Sequence, residues 1–181
     1  MLSKNTLFVR NRTRISAAAF LLFSAGLAAA QTNIVGDGKC SPADVKGTAP
    51  IADRANHSLQ LVAFGNCTWT TPFDMGGLKS KDYTGASTSD DIGGKGRSSG
   101  YVVITMDNGD KAFVRFTGTY ATNADHSGTG EGTWSYTGGT GKMRGLNGKG
   151  TFKSTSAADG TVTDHVEGEY SLPAAKPAPK K

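Results

Sequence analysis

Two cysteines, Cys40 and Cys67, carry the most definite chemistry in this chain. They lack the close CxxC spacing of a structural zinc site. In an oxidising compartment such a pair forms a disulfide; two free thiols are the alternative. A bridge would close a loop of about 28 residues and contribute roughly 3–4 kcal/mol by restricting the unfolded chain.

The other catalytic look-alikes are weak. Gly96-Arg97-Ser98-Ser99-Gly100 matches GxSxG, a motif that works on a strand-to-helix turn beside a histidine; here it lies in a polar run leading into a strand. Gly138 to Lys142 reads GGTGK, but Tyr136 stands where a phosphate loop needs its first glycine. Met143 replaces the required Ser or Thr. Asn123 to Gly128 imitates half a calcium loop, whose twelfth position should be Glu and is Trp134. His57, His126 and His165 are scattered, and His165 falls on an outward strand position. These patterns imply no metal and no cofactor. Asp164 is the polar residue out of place, since its parity puts it with Val162 and Val166 on an inward face. A carboxylate there must be paired, hydrogen-bonded or protonated. It is either a cavity acid or a wet residue at a strand end.

The elements that would position these groups are strands. Alternation predicts strands from Ser58 towards Cys67 and Trp69, from Lys81 to Ser89, from Tyr101 to Met106 and from Lys111 to Tyr120. Three more follow, near Gly128–Thr137, Gly148–Thr155 and Thr161–Leu172. Residues 31–56 hold Gly36, Gly38, Pro42, Gly47 and Pro50 and read as an irregular N-terminal segment. Residues 90–99 read as a mobile polar loop. Asn108-Gly109 suggests a two-residue type I′ turn, which would pair Thr105 with Ala112 and Val103 with Val114. That register leaves Val102, Ile104, Met106 and Phe113 as an outward apolar cluster. Either the N-terminal segment, slightly favoured, or a second copy of the chain would cover it.

Four triplets read Gly-x-aromatic: Gly118 to Tyr120, Gly132 to Trp134, Gly150 to Phe152 and Gly168 to Tyr170. Residues two apart share a strand face, so each glycine lies beside a ring, a device for tight curvature. The expected architecture is an all-β, antiparallel seven- or eight-stranded meander β-barrel over residues 57–172. Its inward face would hold Val114, Phe116, Trp134, Tyr136, Phe152, Val162, Val166 and Tyr170.

The chain ends carry different information. Lys4, Arg10, Arg12 and Arg14 precede an apolar run from Ile15 to Leu27 and the small residues Ala28-Ala29-Ala30. This is the layout of a secretory signal peptide over residues 1–30, cleaved after Ala30. The apolar run is shorter than the ~20 residues of a spanning helix. A periplasmic or extracellular protein without a membrane span is therefore expected. About 150 residues remain, enough for one domain. The net charge of +5 is misleading, because the signal segment holds four basic and no acidic residues. Nothing supplies the basic stripe of a nucleic-acid binder. Residues 173–181 read as a disordered Pro/Lys tail.

Gly132-Thr133-Trp134, then Gly138 to Met143, Gly145, and Gly148 to Phe152 together resemble the glycine-rich signature of bacterial secreted proteins of the allene oxide cyclase and dirigent group, within the wider calycin-like barrels. The resemblance spans about half the chain, from Gly94 to Leu172. It implies an eight-stranded barrel, often trimeric, whose mouth admits a small apolar molecule. It transfers no catalytic residue. The function expected is non-catalytic: binding of a small apolar or amphipathic molecule, or of an envelope partner. The ligand would lie against Phe116, Trp134, Tyr136, Phe152, Asp164 and Tyr170. The alternatives are a cyclase- or isomerase-like enzyme using the same cavity, and a structural barrel with a filled interior.

Overall fold

The computed structural model describes residues 31–174. The expected signal peptide, its cleavage after Ala30 and residues 175–181 of the tail lie outside the described residues. Ten strands form: β1 (Thr32–Cys40), β2 (Asp44–Pro50), β3 (His57–Thr71), β4 (Asp74–Met75), β5 (Leu78–Ile92), β6 (Lys95–Met106), β7 (Lys111–Thr122), β8 (Gly128–Gly139), β9 (Asn147–Ser156) and β10 (Val162–Ser171). A single 3₁₀ turn, Gly141–Met143, is the sole helical element among the described residues. Every pairing is antiparallel. Strands β5 to β10 run as a meander, β10 pairs with β1, β1 with β3, and β3 with β5. This ring closes an eight-stranded barrel and leaves β2 and β4 as short additions on β3 and β5. No described helix is long and apolar enough to cross a membrane.

The N-terminal segment is not irregular. Residues 32–40 form β1, the strand that closes the barrel, so the barrel begins at Thr32 rather than at residue 57. Its glycines are not breakers but clearances. A Cβ at Gly36 would lie 2.6 Å from the Phe73 ring, and one at Gly38 would lie 2.3 Å from the Tyr83 hydroxyl. Pro50 ends β2, an edge strand, where the missing N–H costs nothing. Residues 90–99 also differ from expectation. Strands β5 and β6 run through them and leave Gly93-Gly94, both with positive φ, as the turn.

The β6–β7 register is shifted by one residue from the type I′ expectation. Gly109 donates its N–H to the Met106 carbonyl (2.9 Å), and Met106 donates to the Asp110 carbonyl (2.8 Å). Within this loop positive φ occurs at Gly109 and not at Asn108. The loop therefore has three residues, a type I turn closed by a left-handed glycine. Thr105 pairs with Lys111, Val103 with Phe113 and Val102 with Val114. A one-residue slip exchanges the faces. Ile104 and Met106 are buried and Val102 packs against the core, so the outward cluster of Val102, Ile104, Met106 and Phe113 does not exist. The oligomer contact assigned to it falls with it.

The glycine-aromatic triplets generate two rows across the wall. In one, Trp134 pairs with Gly150 and Gly150 with Gly168. In the other, Phe152 pairs with Gly132 and Gly132 with Gly118. Each ring lies over the glycines of the neighbouring strands. A Cβ at Gly150 or Gly168 would come within 2.4 or 2.5 Å of the Trp134 ring, and one at Gly132 or Gly118 within 2.7 or 2.8 Å of Phe152. Phe64 lies over Gly85 in the same manner, at 2.4 Å. All eight side chains assigned inward belong to the core or pack against it.

Gly150→Val is expected to destabilise the barrel by about 1–3 kcal/mol, the range for overpacking a filled site. Gly47, which has nothing within 4 Å of its would-be Cβ, should accept alanine within ~0.5 kcal/mol. Urea unfolding followed by tryptophan fluorescence measures both.

Candidate functional site

The barrel is filled at one end and hollow towards the other. Met75, Leu78, Met106, Ala112, Met143 and Leu146 are buried where β5, β7 and β9 begin. Unbranched methionine suits such a plug because it adapts to irregular gaps. Tyr170 belongs here: its hydroxyl accepts the Gly76 N–H at 3.0 Å. Tyr136 stands at the floor, its hydroxyl 3.2 Å from Met75 Sδ.

Above the plug lies a cavity of about 400 Å³. Val62, Phe64, Trp69, Val102, Phe116, Trp134, Phe152 and Val166 supply apolar wall. Ser87, Ser89, Ser98, Ser154 and Ser156 add small polar side chains nearer the strand ends at the mouth. Of the sequence-assigned ligand residues, Phe116, Trp134, Tyr136, Phe152 and Asp164 line this cavity; Tyr170 does not, because it is engaged in the plug.

Asp164 resolves as a cavity acid rather than a wet strand end. Tyr83 Oη donates to its Oδ2 at 2.7 Å, and Ser154 Oγ donates to Oδ1. Ser154 sits opposite Asp164 in the β9–β10 register. Tyr83 reaches from the far side of β3 and β1, across the paired cysteines. Cys40 and Cys67 are register partners and form the disulfide, with Cα atoms 4.0 Å apart. The Cys40 sulfur, which has no hydrogen in the bridge, lies 3.3 Å from Tyr83 Oη. Gly38 is the register partner of both Asp164 and Trp69. Its missing side chain leaves the path along which the phenol reaches the carboxylate. Tyr83 also packs on Trp69, with centroids 4.6 Å apart. The Trp69 indole N–H is buried without a hydrogen-bond partner.

A second tyrosine-carboxylate pair lies nearer the mouth, where Tyr120 Oη donates to Asp91 Oδ2 at 2.7 Å. Burial first, then the neighbouring carboxylate, pushes Tyr83 and Tyr120 well above the ordinary tyrosine value. Burial does the same for Tyr136. All three phenols are held as hydrogen-bond donors. At the outer rim His57 bridges Asp53 and Asp90, with Nε2 2.7 Å from Asp90 Oδ1. The hydrogen bond to Asp53, then that to Asp90, raises the imidazole value. His165 is exposed and pairs with Asp37.

The look-alike motifs have structural places. Ser98 is a strand residue on the cavity wall, with no strand-to-helix turn. Lys142 donates its backbone N–H to Asp110 across the 3₁₀ turn. Asp125 accepts from Ser127. Sequence reasoning missed Tyr83, Trp69 and Tyr120. Tyr120 was legible, since its triplet follows the same parity as the other three. Tyr83 was not, because its strand reads as polar when its serines in fact face the cavity.

The chain matches no family model and no curated protein.

The raised phenols predict alkaline instability. Their contribution is fully present below the unfolded value of about 10 and is lost as pH rises through the folded values. Asp164→Asn removes the charge beside Tyr83 but leaves burial, the larger cause. Phenolate absorbance should therefore show Tyr83 ionising at lower pH in the variant; an unchanged titration contradicts the pairing. At the rim, the His57 bridge stabilises fully below the unfolded value of about 6.5 and is lost as pH rises through the raised folded value. The melting-temperature difference between wild type and His57→Gln should accordingly be greatest in mild acid and shrink in alkali.

Proposed function

We propose that this chain is an exported β-barrel that binds a small amphipathic molecule in its cavity without transforming it. The observation that carries the reading is the apolar-walled 400 Å³ cavity above a packed plug, with small polar side chains towards its mouth. Its size and chemistry are those of a small-molecule site. Burial of ligand surface against Trp134, Phe152, Phe116 and Trp69 would supply the affinity, at about 25 cal/mol per Å² of apolar area. The Cys40–Cys67 disulfide supports an oxidising compartment, and the signal-like N-terminus supports the periplasm or the cell exterior. The resemblance to the allene oxide cyclase and dirigent barrels supports the same cavity use.

One observation favours a second reading, a cyclase- or isomerase-like enzyme. Tyr83, Asp164 and Ser154 form a polar cluster in an apolar chamber, which could orient a reactive substrate. The weight against it is chemical. Tyr83 already donates its proton to Asp164, and its raised value makes it a poor acid near neutrality. The filled-barrel reading is disfavoured by the cavity itself.

N-phenylnaphthylamine, a neutral fluorescent apolar probe, tests the reading. Saturable fluorescence enhancement at one site per chain, with quenching of protein tryptophan, is expected. Val166→Trp, which fills the lumen opposite Phe152, should abolish it while circular dichroism stays unchanged. Absence of saturable binding by the wild-type protein refutes the reading.

A further inference from the structure

The cavity is electrostatically one-sided. No Lys, Arg or His is among the residues that line it, and Asp164 is the one carboxylate among them. The strand registers explain this. Lys39, Lys95, Arg97, Arg115, Lys149 and Lys153 all occupy outward positions, alternating with inward Gly38, Gly96, Ser98, Val114, Gly150 and Phe152. Every cation of these strands is therefore turned away from the lumen. The partners of Asp164 are neutral: one phenol and one serine hydroxyl. The second carboxylate, Asp91, stands behind Tyr120 towards the mouth.

A ligand entering this chamber displaces solvent from around the carboxylate. An anionic head would then meet a like charge with no cation to offset it. A neutral head would strip hydration and return at most a hydrogen bond. An ammonium head would replace that hydration with a charge-assisted hydrogen bond, the stronger kind. The ring faces add to the same preference, since aromatic quadrupoles attract cations. Phe152 lies two residues from Ser154 on the same strand face, and the Tyr83 ring packs on Trp69.

We infer that the cavity selects a cationic amphiphile: an amine whose ammonium group pairs with Asp164 and whose apolar body lies among Phe152, Trp134, Phe116 and Trp69. This rests on the small-molecule reading above and names the ligand class for that site. It sets the chamber against fatty acids and other carboxylates, which its cation-free wall would reject.

Three probes with one aromatic body and different heads test it: naphthylethylamine, naphthylethanol and naphthylacetate, titrated calorimetrically at neutral pH. The amine should bind roughly tenfold or more tighter than the alcohol, the factor carried by a hydrogen bond to a charged group, and the acid more weakly than either. Asp164→Asn should bring the amine to the level of the alcohol and leave the alcohol unchanged. Tyr83→Phe, which keeps the carboxylate, should preserve the amine preference and guards against a variant that misfolds. If the alcohol binds and the amine has no advantage, or if Asp164→Asn leaves the preference intact, the charge inference falls while the cavity reading stands. If none of the three binds, both fall.

Discussion

The architecture depends on rings lying flat over glycines. Trp134 covers Gly150 and Gly168, and Phe152 covers Gly132 and Gly118. A side chain at any of these glycines would occupy the volume of the ring. The pairing is reciprocal between β8 and β9, because the Gly132–Trp134 and Gly150–Phe152 triplets each offer the glycine to one row and the ring to the other, while Gly168 and Gly118 extend those rows. Glycine also permits the bend that closes eight strands into a narrow ring. Curvature and wall chemistry thus come from one repeated motif, and the lumen stays open because the rings lie along the wall instead of across it.

The same constraint builds the polar site. Gly38 stands to Tyr83 as Gly150 stands to Trp134, and its vacancy lets a phenol from β5 cross β3 and β1 to Asp164 on β10. The disulfide beneath joins the two strands that the phenol crosses. Barrel closure, covalent cross-link and hydrogen-bonded carboxylate therefore occupy one patch of wall. A change at Gly38 would act on all three.

Charge distribution follows from the alternation of strands. Outward positions carry the lysines and arginines, and inward positions carry rings, small residues and hydroxyls. Asp164 breaks the pattern, and two hydroxyl donors with a nearby aromatic surface hold it there. A carboxylate held by neutral donors alone can still accept a stronger, charge-assisted hydrogen bond from a cation. That physical imbalance gives the cavity its chemical direction, whereas its apolar walls alone would accept almost any small amphiphile.

The all-β class, the meander, the disulfide pair and the inward rings of β7 to β10 were legible in the sequence, because alternation and the glycine-aromatic triplets are local signals. Asp164 was visible as an inward acid by parity alone. Its partners were not, since Tyr83 lies 81 residues away and reaches it only once the barrel closes. The N-terminal strand was hidden because Gly36 and Gly38 look like breakers until the rings they accommodate are known. The β6–β7 register was misjudged because Asn-Gly fits both a two-residue and a three-residue turn, and only packing of Ile104 and Met106 decides between them. Local pattern thus determined the strands and the rings on most of them. Closure alone decided which distant residues meet, because hydrogen bonding between the first and last strands leaves no periodic trace in either.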